Sequence, residues 1–434
     1  LNWEEKEVTQ SFIKLTKGNR TALLYGGNEE LMDVQVNKEL IKLKNRGWKP
    51  GGEITLDFDN RPESEKELEN LYHRDAMRVE IGMKLLPLVD PGAGAPLSDM
   101  VKNIRKDLAG STGIIIPGIR IQDNMQLPPD SYVIYIKDTP IASNEIYLTR
   151  FLVYGSMEQL NELKGWSVKD PVFRSQALWV EPDQRDKAEE LGCLIMGPLN
   201  VLVTHIREAV ERNLRELLGL QDVKHMLDQL MKTHPVVVED YVNNKKKLRQ
   251  IRKVLLNLVG ERVSIRDMVT IMETIGEIED KLDKTNWASE LVRLALRRQI
   301  CWSYIGAEGK IIALSLSRNF EKKIQGNIQE SKEGARLALS HLEAEEIINN
   351  LKKTLEDYDN PRVIFCEPHT RIYFRRLTEA TLPDLGILST AEIAPGVPIE
   401  IVGQVTLPGE DKVDSVAGEE KEKKSGGLFG LIKG

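Results

Sequence analysis

The chain has 434 residues, a length that predicts about three or four domains rather than one core. Its 41% hydrophobic and 29% charged residues are typical of globular proteins, and its formal net charge of -7 disfavours nucleic acid or an anionic membrane as a general partner. The three cysteines are far apart and form no C-x-x-C pair, which favours reduced thiols over disulfides or a metal site.

The first 74 residues match no motif. Their hydrophobic pattern is consistent with a helix over residues 3–15, strands over 21–25 and 53–58, and a charged helix over 29–45. We expect a soluble N-terminal region here, separate from the domains after residue 74.

From residue 75 onward, strands and helices alternate. Residues 77–81 and 132–137 alternate as strands, residues 113–121 form an apolar strand split by a proline, and residues 98–108 form a helix capped by Ser98. This mixture predicts an α/β layer.

A compact stretch lies between residues 169 and 218. It predicts a strand over 176–181, a short helix that Asp183 caps and Gly192 ends, and a second strand over 193–196. A long helix capped by Asn200 then carries its apolar side chains on one face. These are Leu202, Ile206, Val210, Leu214 and Leu217.

The next region is helical, and a second α/β pattern comes after it. The predicted helices cover residues 221–230, 247–258, 265–279 (capped by Ser264) and 288–304. After Gly306 come the predicted strands 310–316, 361–366, 386–389 and 398–405, with helices over 317–328, 330–356 and 370–377. Beyond residue 408 the composition is too polar to fold, which predicts a disordered tail.

The sequence offers no catalytic constellation. It has no Walker loop, no G-x-G-x-x-G after a strand, no H-E-x-x-H and no G-x-S-x-G. Glu367 and His369 lie close in sequence without an adjacent nucleophile, and His205 fits a satisfied core position better than a ligand. We therefore predict no enzyme, no cofactor and no metal.

Six motifs in order carry a resemblance to a known family. The chain resembles the cytoplasmic half of the FHIPEP family, the FlhA/InvA-type export gate of flagellar and virulence type III secretion. The motifs are EIGMKLLPLVD (80–90), IRKDLAGSTGIIIPGIRIQDN (104–124), DPVFRSQALWVE (170–181), VLVTHIREAV (201–210), VSIRDMVTIMET (263–274) and ILSTAEI (387–393).

The resemblance implies an α+β multidomain fold of four subdomains. The first, a mixed α/β domain, comprises residues 75–150 plus 198–217, and a small α/β module, residues 151–197, is inserted into it. A central helical bundle covers 218–297, a C-terminal α/β domain covers 298–407, and the tail covers 408–434.

The resemblance also implies a function. The family docks export chaperones and their substrates in a cleft between the first two subdomains, and an acid, an aromatic and a threonine of that cleft match Asp170, Phe173 and Thr204. The chain is then a soluble cytoplasmic docking platform of a type III export apparatus, forming a homo-oligomeric ring at the inner face of the cell membrane. Nucleic acid is not an expected partner.

Several alternatives stay open at this point. Phe173 can instead pack inward while Asp170 only caps a turn, and a stand-alone enzyme or small-molecule binder on the same scaffold is the competing function. The usual family arginine is Gln122 here. The chain begins with Leu and shows no membrane spans, so it is a fragment of a longer gate or a separate relative of it. Whether the system is flagellar is equally open.

Overall fold

The computed structural model describes residues 75–172, 175–329, 335–358 and 361–410, and of the N-terminal region the backbones of three strands. The chain divides into two compact units, Leu1–Arg74 and Asp75–Gly434. The predicted tail from residue 411 onward lies outside the described residues.

The N-terminal strands form one antiparallel sheet. They are β1 (Phe12–Lys17), β2 (Arg20–Tyr25) and β3 (Lys49–Ile54), in the order β2-β1-β3. The predicted helix over residues 3–15 is wrong from Phe12 onward, because that stretch pairs along its whole length with β2. The strand predicted over 21–25 is confirmed.

The second unit begins with a four-stranded sheet. We call this sheet and two helices that share its core the host. Its order is β5-β4-β6-β7, and β4 is parallel to β5 but antiparallel to β6. Helices α1 and α4 pack against each other, and their buried apolar side chains share one core with β4 and β6. The host strands are β4 (Met77–Ile81), β5 (Ile119–Asp123), β6 (Ser131–Ile136) and β7 (Thr139–Glu145), and the helices are α1 (Pro96–Thr112) and α4 (Pro198–Arg212).

The strand predicted over residues 113–121 starts only at Ile119. Pro117 lacks an N–H for a ladder, and the carbonyl of Ile116 instead accepts two hydrogen bonds from the guanidinium of Arg105, at 2.9 and 3.0 Å. The cap predicted at Ser98 is also wrong, since α1 begins at Pro96.

A second sheet and its two short helices lie between α1 and α4 in the sequence. We call this module the insert. Its order is β11-β8-β10-β9, all antiparallel. Because strand side chains alternate, Leu178 packs into a small core of the insert itself while Trp179 joins the larger core. The elements are β8 (Phe151–Tyr154), α2 (Met157–Asn161), β9 (Gly165–Lys169), β10 (Gln176–Val180), α3 (Arg185–Glu190) and β11 (Leu194–Met196).

The caps predicted around the insert are partly wrong. Asp183 lies inside a short 3-10 turn and does not cap α3, whereas Gly192 has φ +74°, the left-handed conformation expected of it. Helix α4 begins at Pro198 rather than after Asn200, because proline is favoured at the first helical position. The predicted apolar face of this helix is buried, although the helix breaks at Asn213 before α5 (Leu214–Leu217).

Six further helices pack around one another. Asp267 accepts the N–H of Thr270 at 3.1 Å, so the helix predicted from residue 265 starts at Met268 and Ser264 is not its cap. The helix predicted over 288–304 is two helices broken at Leu296. The six are α6 (Leu220–Met231), α7 (Pro235–Val242), α8 (Lys245–Gly260), α9 (Met268–Glu277), α10 (Thr285–Ala295) and α11 (Arg297–Tyr304).

The C-terminal part is an α/β layer with a parallel sheet in the order β16-β15-β12-β17. The helix predicted from residue 330 begins at His341, where Ser340 and Glu343 form a capping box, after a short hairpin of β13 (Ile328–Gln329) and β14 (Arg336–Leu337). The other elements are β12 (Ile311–Leu316), α12 (Arg318–Gly326), α13 (His341–Asp357), β15 (Val363–Cys366), α14 (Pro368–Thr378), β16 (Gly386–Ser389) and β17 (Ile399–Val405).

The observed architecture is the mixed α+β fold with several sheets that the sequence predicts. The subdomain boundaries drawn from the sequence stay a prediction.

A buried charge cluster joins the helices to the C-terminal layer. The guanidinium of Arg371 on α14 is fully buried and donates to Glu261 at 2.6 Å and to Glu290 at 2.5 Å. Arg293 donates to Glu261 at 3.2 Å and to Glu392 at 2.6 Å. Burial raises the pKa of Glu290, whereas for Glu261 the same burial is outweighed by Arg371 and Arg293, which lower its pKa.

Replacing Arg371 by methionine tests this cluster. Arg371→Met is expected to lower the free energy of unfolding by about 3–5 kcal/mol, because the carboxylate of Glu290 loses its hydrogen-bonded cation and that of Glu261 loses one of its two. The control is Arg376→Met, on the exposed side of the same helix, with an expected loss below about 1 kcal/mol. Equal losses for the two variants in denaturant titrations would contradict the assigned role.

Candidate functional site

Asp170 comes directly after β9 and organises the turn that leads to β10. One carboxylate oxygen accepts the N–H of Val172 at 2.8 Å, and the N–H of Asp170 donates to the carbonyl of Ser175 at 2.9 Å. An aspartate that accepts the amide two residues ahead mimics a backbone turn and fixes it. The predicted turn therefore exists, and its acid is only 3% exposed.

The second carboxylate oxygen of Asp170 is also engaged. The hydroxyl of Tyr154 on β8 donates to it at 2.7 Å. Burial, and then this hydrogen bond and the charge of Asp170, raise the pKa of Tyr154. The carboxylate thus ties the β9–β10 turn to the central part of the insert sheet.

The host presents a buried pair to the same region. The hydroxyl of Tyr132 on β6 lies 2.6 Å from Nδ1 of His205 on α4, and the two rings meet edge to face with centroids 5.5 Å apart. This confirms His205 as a satisfied core residue. Burial lowers the pKa of His205 despite opposing contributions from Asp170 and Glu208.

These two pairs lie close to each other where the insert meets the host. The charge of Asp170 contributes to raising the pKa of Tyr132, after burial, and it acts on His205 as well. We call the four residues Tyr132, Tyr154, Asp170 and His205 the seam cluster. It is a polar cluster beside an apolar core that the two modules share.

Two cavities open along this seam. The larger has a volume of about 450 Å³, with Tyr132, Ser143 and Glu145 of the host on one side and Val168 and Trp179 of the insert on the other. A smaller cavity of about 230 Å³ lies between His205 and Arg212 on α4 and Pro171 of the turn. Together they form a cleft between host and insert.

Tyr147 and Trp179 line the larger cavity, and a further aromatic side chain, Trp166, lies next to them. Trp166 and Trp179 are opposite each other on β9 and β10, and Tyr147 meets both rings edge to face at 5.1 and 5.5 Å. The guanidinium of Arg150 lies 3.4 Å from the centre of the Trp166 ring and pairs with Glu181. Trp166 remains 50% exposed, so it offers an apolar surface beside the cleft.

The sequence patterns did not single out these aromatic side chains. A signal for them exists, because pairing residues 165–169 with residues 176–180 as a hairpin places two tryptophans side by side.

The three predicted contact residues lie in different structural environments. Asp170 is buried in the insert, and Thr204 lies half-buried on α4, one residue before His205 and thus on a neighbouring face of the helix. Phe173 lies outside the described residues. The structure brings Asp170 close to the helix that carries Thr204.

The part of the chain that the structure describes shows neither a metal site nor a membrane span. It contains no group of three or more His, Cys, Asp or Glu side chains that could hold a metal ion. None of its helices combines the length and hydropathy needed to span a membrane.

Comparisons with known proteins agree with each other. The FHIPEP family description matches residues 38–398, which includes the second half of the N-terminal region that the sequence motifs did not cover. The flagellar biosynthesis protein FlhA of Bacillus subtilis (strain 168) is 31% identical over 358 residues, which are 82% of this chain and 52% of that protein. The chain therefore spans about half the length of this relative.

Solved structures show the same fold. The CdsV protein of Chlamydia pneumoniae superimposes with a TM-score of 0.69 at 23% identity, covering 81% of this chain and 99% of that one. The SctV-C assembly of EPEC, described as nonameric, superimposes with a TM-score of 0.63 at 20% identity, covering 76% and 98%.

Removing one hydroxyl tests the seam cluster. Tyr154→Phe is expected to lower the free energy of unfolding by about 1.5–3 kcal/mol, because the buried carboxylate of Asp170 loses a charge-assisted hydrogen bond. Tyr147→Phe is the matched control, since its hydroxyl donates to Glu145 at an exposed position. A Tyr154→Phe protein as stable as the Tyr147→Phe control would contradict a structural role for the Tyr154 hydroxyl.

Proposed function

Because the chain belongs to the FHIPEP family, we propose that it forms the cytoplasmic docking platform of a type III protein export apparatus. In this function it binds export chaperones with their substrates and performs no chemical step itself. The flagellar names of the curated relatives favour a flagellar system.

The observation that carries this proposal is the cleft between host and insert. A cavity of about 450 Å³ is large enough for one or two apolar side chains of a partner helix. The buried ring of Trp179 lines this cavity, and the exposed ring of Trp166 lies beside it in contact with the lining residue Tyr147. Rigid aromatic rings are frequent anchors of protein interfaces.

The proposed contact residues act in different ways. Phe173 is the anchor that inserts into the partner, and Thr204 supplies a hydroxyl from the host side. Asp170 is buried by its turn and by Tyr154, so it acts by holding the turn in shape rather than by touching the partner. This division combines the two interpretations of Asp170 that the sequence left open.

Assembly into a ring completes the proposal. The EPEC relative of the same fold is described as nonameric, and a closed ring would present one cleft per protomer around the export channel. The four predicted subdomains, with the insert carried by the first, are the units that we propose build this ring.

Chaperone capture tests the docking cleft. Phe173→Ala is expected to weaken binding of a purified export chaperone from the same organism by about tenfold or more, as loss of a central aromatic anchor does. The control is Trp302→Ala, which removes an aromatic side chain that is 77% exposed on α11. Unchanged affinity for Phe173→Ala in calorimetry would overturn the assignment of Phe173.

Electron microscopy of the purified chain tests the ring. We expect closed rings at high protein concentration and monomers on dilution, because a ring held by repeated weak contacts dissociates by mass action. Monomers alone at the highest concentration that stays in solution would contradict self-assembly by this chain.

A further inference from the structure

His205 lies where α4 of the host faces the β9–β10 turn of the insert. Its side chain is 6% exposed, and the cavity of about 230 Å³ beside it is closed on the other side by Pro171. The imidazole is therefore covered in part by the insert, while the cavity gives water a route to it.

The charged and titratable groups around the imidazole come from three elements. Tyr132 on β6 forms its hydrogen bond at 2.6 Å, and Asp170 of the turn faces it across the seam. Glu208 and Arg212 lie on α4 itself, one and two turns further along, and line the same cavity. The three charged groups act on the imidazole together, two acids favouring its protonation and one arginine opposing it.

We infer that His205 is a positioning residue that keeps the insert closed on the host while its imidazole is neutral and releases the insert when the imidazole is protonated. The inference concerns the seam itself. Its consequence for chaperone docking, a wider cleft in acid, rests on the proposed function.

The direction of this pH effect results from linkage between protonation of His205 and opening of the insert away from the host. In the closed arrangement burial lowers the pKa of His205 below its ordinary value of 6.5. Moving the turn away from α4 hydrates the imidazole and returns its pKa toward 6.5. The open arrangement then binds protons more tightly, so its population rises as the pH falls below 6.5.

The size of this effect has an upper bound. At pH 5.5 a solvated imidazole of pKa 6.5 is about ten times more often charged than neutral. If the closed state excludes the proton, opening becomes about tenfold more frequent at pH 5.5 than at pH well above 6.5. The attraction between Asp170 and the charged ring reduces this factor.

Hydrogen–deuterium exchange of the whole chain measures the opening. After correction for the intrinsic pH dependence of amide exchange, residues 165–180 are expected to exchange up to about tenfold faster at pH 5.5 than at pH 7.5. His205→Gln, which keeps a polar side chain but carries no charge, is expected to abolish this acceleration. His225→Gln, which replaces an exposed histidine on α6, is expected to retain it.

Titration of the six histidines by NMR of the unsubstituted chain supplies a readout that needs no variant. One histidine, assigned by its absence in His205→Gln, is expected to titrate below the ordinary imidazole pKa of 6.5. Equal exchange at both pH values, persistence of the acceleration in His205→Gln, or titration of His205 at or above pH 6.5 would each overturn the inference. None of these outcomes depends on a chaperone, so they leave the docking proposal to its own test.

Discussion

A buried carboxylate must find hydrogen-bond donors, and the seam between host and insert is built around this requirement. Asp170 satisfies it with the amide of Val172 and the hydroxyl of Tyr154, which ties a surface turn to the middle of the insert sheet. The same charge faces His205 and Tyr132 of the host. The turn, the cleft beside it and the coupling between the two modules all depend on where this one carboxylate is held.

The insert and the C-terminal layer are attached in different ways. Part of the insert packs on a small core of its own, and a polar cluster and two cavities lie along its contact with the host. The C-terminal layer is joined to the helices by ion pairs of two buried arginines with glutamates, which are costly to separate. Motion is therefore expected at the seam, and rigidity at the C-terminal junction. A docking cleft at the softer junction can adjust to different partners.

The sequence predicted the elements better than their ends. Strand patterns located β4, β6 and β10, although both faces of β10 are buried. The helix starts predicted at Asn200 and Ser264 are wrong. One helix begins at Pro198 and the other directly after Asp267, and both residue types also favour a helix start. The motifs singled out Asp170, but its bond to Tyr154 and the packing of Trp166 against Arg150 join residues of different strands and loops. Such contacts depend on tertiary structure, which a local pattern does not contain.

The central claim is that partners dock in the cleft between host and insert. Its most direct test is site-specific photocrosslinking, with a photoreactive phenylalanine analogue at position 166 beside the larger cavity and, in a second protein, at the remote exposed position 302. If partners dock there, a covalent adduct with an export chaperone forms from position 166 and none forms from position 302. An adduct from position 302 alone would contradict it.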